Sequence, residues 1–346
     1  MSAVAHSPNV AALGAIPLDR GVSFRVWAPH ADSVAVVGSF NHWDDQAHRC
    51  QRQDQGCWSV IVDDAKIGDE YKFVITRQKQ RFERIDPRAR AVTNSVGNAV
   101  VVANDFDWQG DQFHMPPWNE TVIYEMHIGT FHRTGESVGS FDTAIERLPY
   151  LRDLGINAVE LMPLAEFAGD YSWGYNPAHP YAVETAYGGP DGLKRFIRAS
   201  HQHGIAVIVD VVYNHFGPSD LSLWQFDGWS ENDKGGIYFY NDWRSATPWG
   251  DTRPDYGRRE VREYIFDNAL MWLEDYHADG LRYDMTLYMR SVDGDESKVI
   301  PDGFSLAQQI NSEIHNRFPG KILIAEDLRN NNSITLDGEH GGAHFS

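Results

Sequence analysis

Between residues 22 and 102 short β-rich runs alternate with turn residues: VSFRVWAP, SVAVVGSF, CWSVIVDD, EYKFVIT and NAVVV. The even spacing and the Pro, Gly, Asn and Asp between the runs predict an antiparallel sandwich, an immunoglobulin-like all-β domain over residues 21–104 after a tail at 1–20. Residues 105–118, with Pro116 and Pro117, read as a linker. The pattern then changes. Strand-like VIYEMHIG is followed by amphipathic FDTAIERLPYLRDLG, strand NAVELMPL, helix GPDGLKRFIRASHQHG and strand IAVIVDVV. After an insertion at 216–257 come helix RREVREYIFDNALMWLEDYHA, strand GLRYD, helix FSLAQQINSEIHNRF and strand KILIAED. Alternating strands and helices imply parallel pairing with right-handed crossovers, so residues 119–346 read as α/β.

These units supply five strands, whereas a (β/α)8 TIM-type barrel closes on eight and takes roughly 250 residues. The remaining NNNSITLDGEHGGAHFS is polar and glycine-rich and does not hold three more units. Two accounts compete: an open sheet complete in itself, or a barrel cut off by a truncated gene. An incomplete barrel is the favoured expectation, because an unpaired fifth strand would be an edge that native folds normally cover.

Composition narrows the function. At 346 residues and 42% hydrophobic the chain is an ordinary globular protein of two domains. A formal charge of −19 repels phosphate backbones and anionic lipid, which argues against nucleic acid and membrane partners. The opening MSAVAHSPNVAALGAIP lacks a cationic segment followed by an apolar run, so neither a leader nor a span is expected and a cytoplasmic location is the default. Cys50 and Cys57 flank a polar turn; a cross-strand disulfide is one reading, two reduced thiols the one that suits the cytosol. His201 and His203 lie two apart on a helix and cannot share a face, and no HExxH, CxxC, EF-hand or GxGxxG context occurs, so no metal and no cofactor is expected.

The chemistry lies at strand ends. IAVIVDVVYNH, GLRYDMT and KILIAEDL each end a buried run in an acid, Asp210, Asp284 and Glu326, which would be costly to bury without a task. Arg282 and Asp284 share a strand face, Glu326 tops the column of Ile322 and Ile324, and active groups of parallel barrels gather at the C-terminal mouth. Adjacent strands about 4.8 Å apart bring such acids within about 5 to 5.5 Å, the separation of a retaining glycosidase pair. Asp284 is the expected nucleophile, its pKa lowered by Arg282; Glu326 is the expected acid/base, its pKa raised by apolar neighbours and Asp327. An acid that merely caps the next helix is the bland alternative at each position.

DVVYNH, GLRYD and IAED together resemble three conserved regions of glycoside hydrolase family 13, the α-amylase family. WGYNPAHPYAVETAYG is similar to the matching stretch of its branching enzymes and maltooligosyltrehalose trehalohydrolases, and FRVWAPHADSVAVVGSFNHWD resembles carbohydrate-binding module family 48, which precedes the barrel in those enzymes. The resemblance implies that Asp284 is the nucleophile, Glu326 the acid/base, Arg282 its neighbour and Asp210 the support of that arginine. It further implies His215 as a donor to the bound sugar and Tyr175 as a stacking platform. Tyr283 departs from the tryptophan of many relatives, and the family's His-Asp pair after the seventh strand has no counterpart. Loss of one preorganised stabiliser costs about 10² to 10³ in rate, so the 346-residue chain is expected to turn over little.

The expected activity is double displacement on α-1,4-linked glucan, with hydrolysis and 1,4-α-glucan branching as near-equal outcomes and trehalohydrolysis behind them. A non-catalytic glucan-binding fragment is the alternative. Trp224, Phe226, Trp229, Tyr238, Phe239, Tyr240, Trp243 and Trp249 of the insertion suit sugar faces or a local core equally, and Trp43 suits a remote glucan site or a domain contact.

Overall fold

The computed structural model describes residues 12–169, 171–217, 221–295 and 297–346. Two antiparallel sheets make the N-terminal sandwich. One runs β1 (Gly14–Pro17), β2 (Val22–Trp27), β5 (Cys57–Val62), β4 (Gln51–Arg52); the other runs β3 (Ser33–Gly38), β6 (Glu70–Arg77), β9 (Ala99–Val100), β8 (Ala91–Val92), with β7 (Gln80–Arg84) on β6. Phe24 and Tyr71 meet edge-to-face at 4.9 Å between the two layers, where Val36, Phe73 and Ile75 are also buried. The first strand corrects the tail expected at 1–20: Gly14–Pro17 pairs with Val22–Arg25. Its four residues, ending in a proline, are too short to show a period. Residues 1–11 of the opening read for a leader lie outside the described residues.

The strand register decides between the two cysteine readings. Gln51 faces Ser59 and Gln53 donates to the Cys57 carbonyl, so Cys50 is offset from Cys57 by three positions along the ladder. At about 3.3 Å per residue that is roughly 10 Å, beyond the reach of a disulfide. Both are buried free thiols.

The second layer system is a five-stranded parallel sheet in the order β10 (Ile123–Met126), β11 (Ala158–Leu161), β14 (Ala206–Val211), β15 (Gly280–Tyr283), β16 (Ile322–Ala325). Neighbouring strands are sequential, as in a segment of a barrel. The crossovers are α1 (Ile128–Phe131), α2 (Phe141–Ile145) and α3 (Leu148–Asp153), then α4 (Gly189–Gln202), α5 (Arg259–Glu274), and finally α6 (Thr286–Arg290) with α7 (Pro301–Arg317). Two details differ from the pattern reading. FDTAIERLPYLRDLG forms two short helices, because Pro149 cannot donate to the carbonyl four residues back and restarts the helix at its first turn. PAHPYAV is strand β13 (Pro177–Val183) in a hairpin with β12 (Ala165–Phe167), masked in sequence by its two prolines. Among the described residues no helix is long and apolar enough to cross a membrane.

The segment after β16 folds back. Asn311 on α7 donates to the Ala343 carbonyl at 2.7 Å, Phe345 packs edge-on against Tyr283, and the Ser346 amide donates to the Leu323 carbonyl at 2.7 Å. The β16 edge, expected to stand open, is therefore met by the chain at Leu323.

Residues 105–118 lie against the floor of the sheet, with Phe113 and Met115 packed on Ala158, Ala206 and Ile208. They are pinned by buried His201, whose two ring nitrogens meet Asp111 at 2.5 Å and Asp279 at 2.9 Å. Burial alone would lower the imidazole pKa; the two carboxylates overcome this and raise it above 6.5. His⁺ stabilisation is therefore full below about pH 6.5 and lost as pH rises through the raised value. His201→Ala should cost about 3 kcal/mol in urea unfolding at pH 6, and the difference from the parent should shrink as pH rises.

Candidate active site

Parallel register carries one inward column across the sheet. Glu125 faces Glu160, Glu160 faces Ile208, Asp210 faces Arg282, and Arg282 faces Ile324. Strand residues of one parity thus converge on the barrel axis, and Asp284 and Glu326 each follow one position after their strands end. The result is one cation among four acids. Arg282 Nη1 lies 2.8 Å from Asp210 and 3.2 Å from Asp284, Nη2 lies 2.9 Å from Glu326, and Nε lies 3.9 Å from Glu160.

Asp284 is buried and doubly held. Asn214 Nδ2 donates to its Oδ2 at 2.8 Å while Arg282 faces its Oδ1. Burial pushes the Asp284 carboxyl up to about 6, aided by Glu326, which lies in hydrogen-bonding contact, and opposed by Asn214 and Arg282. The expectation of a lowered pKa is corrected here: a guanidinium divided among four carboxylates does not offset desolvation. Burial likewise raises Glu160 and, strongly, Asp210. For Arg282 burial works downward, but Asp210 and Glu326 overcome it and hold the guanidinium charged.

Glu326 accepts from the Met285 amide at 3.0 Å as well as from Arg282. Met285, next to Asp284, sits at φ +43°, a left-handed conformation that costs a non-glycine residue about 1 kcal/mol or more. The neighbour expected to press on Glu326, Asp327, is instead paired with Arg290 at 2.8 Å, so its charge is spent there.

Tyr175 donates to Asp210 Oδ2 at 2.9 Å, beside the Arg282 contact. His215 is fully buried, stacked on Trp249 at 4.3 Å, and burial pushes its pKa down to about 3, so the ring is neutral. Asn214 spends its amide on Asp284, and its Oδ1 lies 2.6 Å from His215 Nδ1. Nε2 lies 3.2 Å from Asn176 Oδ1, so each ring nitrogen faces a side-chain oxygen. All six residues singled out in the sequence thus lie in one connected network.

Sequence reading passed over Glu160, Asn176 and the strain at Met285. Glu160 carried the same signal as the others, an acid inside an apolar strand run. Of the insertion rings, Phe226, Tyr238, Phe239 and Tyr240 are core, Trp229 stacks on His30, and Trp243 is exposed. Trp43 is 40% exposed on the sandwich.

Residues 12–89 match the family description "Carbohydrate-binding module 48 (Isoamylase N-terminal domain)" and residues 128–243 match "Alpha amylase, catalytic domain". The chain is 33% identical over 353 residues to the 1,4-alpha-glucan branching enzyme GlgB of Oceanobacillus iheyensis, covering 94% of this chain and 54% of that protein. Its matched segment, residues 128–243, is of the α-amylase family. Another similar relative is the GlgB of Corynebacterium jeikeium, 35% identical over 354 residues, covering 96% of this chain and 48% of that one. Among solved structures, type I pullulanase from Bacillus subtilis, complexed with maltose, superposes with a TM-score of 0.75 at 28% identity over 91% of this chain and 47% of its own. The chain spans about half the length of the curated relatives it matches.

Because the folded Asp284 pKa exceeds its ordinary 3.8, stability falls as pH rises from 3.8 to about 6 and stays lower above it. Asp284→Asn should therefore melt with the parent near pH 4 and be the more stable by on the order of 2–3 kcal/mol at pH 7, read by thermal or urea unfolding across pH.

Proposed function

We propose that this chain carries the bond-cleaving centre of a retaining enzyme acting on α-1,4-linked glucan. The observation that supports this best is the pair Asp284 and Glu326, joined through one guanidinium at the C-terminal mouth of a parallel sheet. In the first step an Asp284 oxygen attacks the anomeric carbon as Glu326 protonates the departing glycosidic oxygen, leaving a glycosyl ester on Asp284. In the second, Glu326 takes a proton from the acceptor hydroxyl, whose oxygen displaces Asp284. Apo contact between the two carboxyls is closer than the roughly 5–5.5 Å of a working pair; a glycosidic oxygen must enter between them.

Arg282 favours the ionised nucleophile, Tyr175 and Asp210 hold Arg282, and His215 donates to the bound sugar. Water as acceptor gives hydrolysis; another glucan hydroxyl gives branching. The names of the GlgB relatives favour branching, and the module matched at residues 12–89 suits a polysaccharide. We place the protein in the cytoplasm, where such polymers are stored.

An activated 2-fluoro-maltosyl fluoride tests the centre in a single turnover. Peptide mass spectrometry should find the label on Asp284, and labelling should fall at least ~10³-fold in Asp284→Asn. The labelling rate should rise with pH through about 6 and level off above it, because only the carboxylate attacks. On amylose, little new reducing end with changed iodine staining marks branching. Glycogen binding indifferent to Asp284→Asn, with neither label nor turnover, would make this a glucan-binding protein instead.

A further inference from the structure

Four carboxyls face Arg282, and the reaction proposed above employs three of them: Asp284, Glu326 and Asp210. The fourth, Glu160, is part of β11, the second strand, one step below the reacting layer. Its register partners are Glu125 on one side and Ile208 on the other. It has 14% of its side chain exposed and lies 3.9 Å from Arg282 Nε. No residue reported above as a hydrogen-bond partner of the nucleophile or acid touches Nε, since Asp210 and Asp284 take Nη1 and Glu326 takes Nη2.

A guanidinium is a rigid planar fork, so a charge placed at Nε fixes which way its two terminal nitrogens point. We propose that Glu160 is a positioning residue for this centre: it holds the Nε edge of Arg282 from the floor side, so that Nη1 and Nη2 are aimed upward at Asp284 and Glu326. The proposal rests on the double-displacement reading for its consequence but not for its geometry.

Energetics argue against a purely structural role. Burial raises the Glu160 pKa more than Arg282 lowers it, with Glu125 and Glu326 adding to the rise. An ionised Glu160 therefore costs stability at neutral pH, and a glutamine in the same place would relieve that cost. A buried acid that costs stability and faces a site arginine is doing positional work. A residue whose role was to hold the sheet together would show the opposite sign.

Glu160→Gln in the full chain separates these cases. The melting temperature at pH 7 should rise above the parent's and converge with it near pH 4, while the maximal rate of Asp284 labelling by the fluoro-maltosyl reagent falls roughly tenfold at unchanged half-saturating concentration. Glu160→Asp, which restores charge, should recover part of that rate. Crystal structures of parent and Glu160→Gln should show the guanidinium turned away from Asp284 or Glu326. Unchanged labelling with an unmoved Arg282 overturns the proposal, as does a fall in both melting temperature and labelling. If the parent itself is not labelled, the functional reading fails, and the position of Arg282 in the two crystal structures alone decides whether Glu160 sets it.

Discussion

Arg282 is the constraint on which the site depends. Several acids facing one barrel interior repel one another and lose hydration together, and only a fixed positive charge in their midst makes the arrangement tolerable. Arg282 supplies it from the fourth parallel strand, in register with Asp210 on the third and Ile324 on the fifth. One cation cannot neutralise Glu160, Asp210, Asp284 and Glu326 together, and burial raises the pKa of Glu160, Asp210 and Asp284.

Around this charge the chain builds a neutral second layer. Asn214 is its hinge, donating to Asp284 and lying 2.6 Å from the ring of His215, which stacks on Trp249 of the insertion. The insertion is thus not a loose loop. Its buried rings form a local core that carries Trp249 to the site and, through carbonyls accepting from Arg84, fastens the sandwich to the barrel segment. The floor is closed by residues 105–118, pinned through His201.

Much of this was legible in the chain. A buried strand ending in an acid is so costly without a task that its repetition at Asp210, Asp284 and Glu326 pointed to a site, and strand parity put Arg282 beside them. Glu160 was equally visible in NAVELMPL and was passed over because it sits mid-strand instead of at the end. The prolines of PAHPYAV concealed a strand, and Pro149 split a helix that the apolar period alone would have joined.

Strand order and fold class are local or periodic properties, and so the sequence by itself determined them. Protonation is not such a property. The sequence put Arg282 next to Asp284 and implied a lowered pKa; the folded chain surrounds that arginine with three further carboxylates and removes water, and the balance reverses to about 6. The separation of the two thiols was likewise decided only by tertiary structure. Each depends on distances between segments remote in the chain, which burial and strand register set and no single segment encodes.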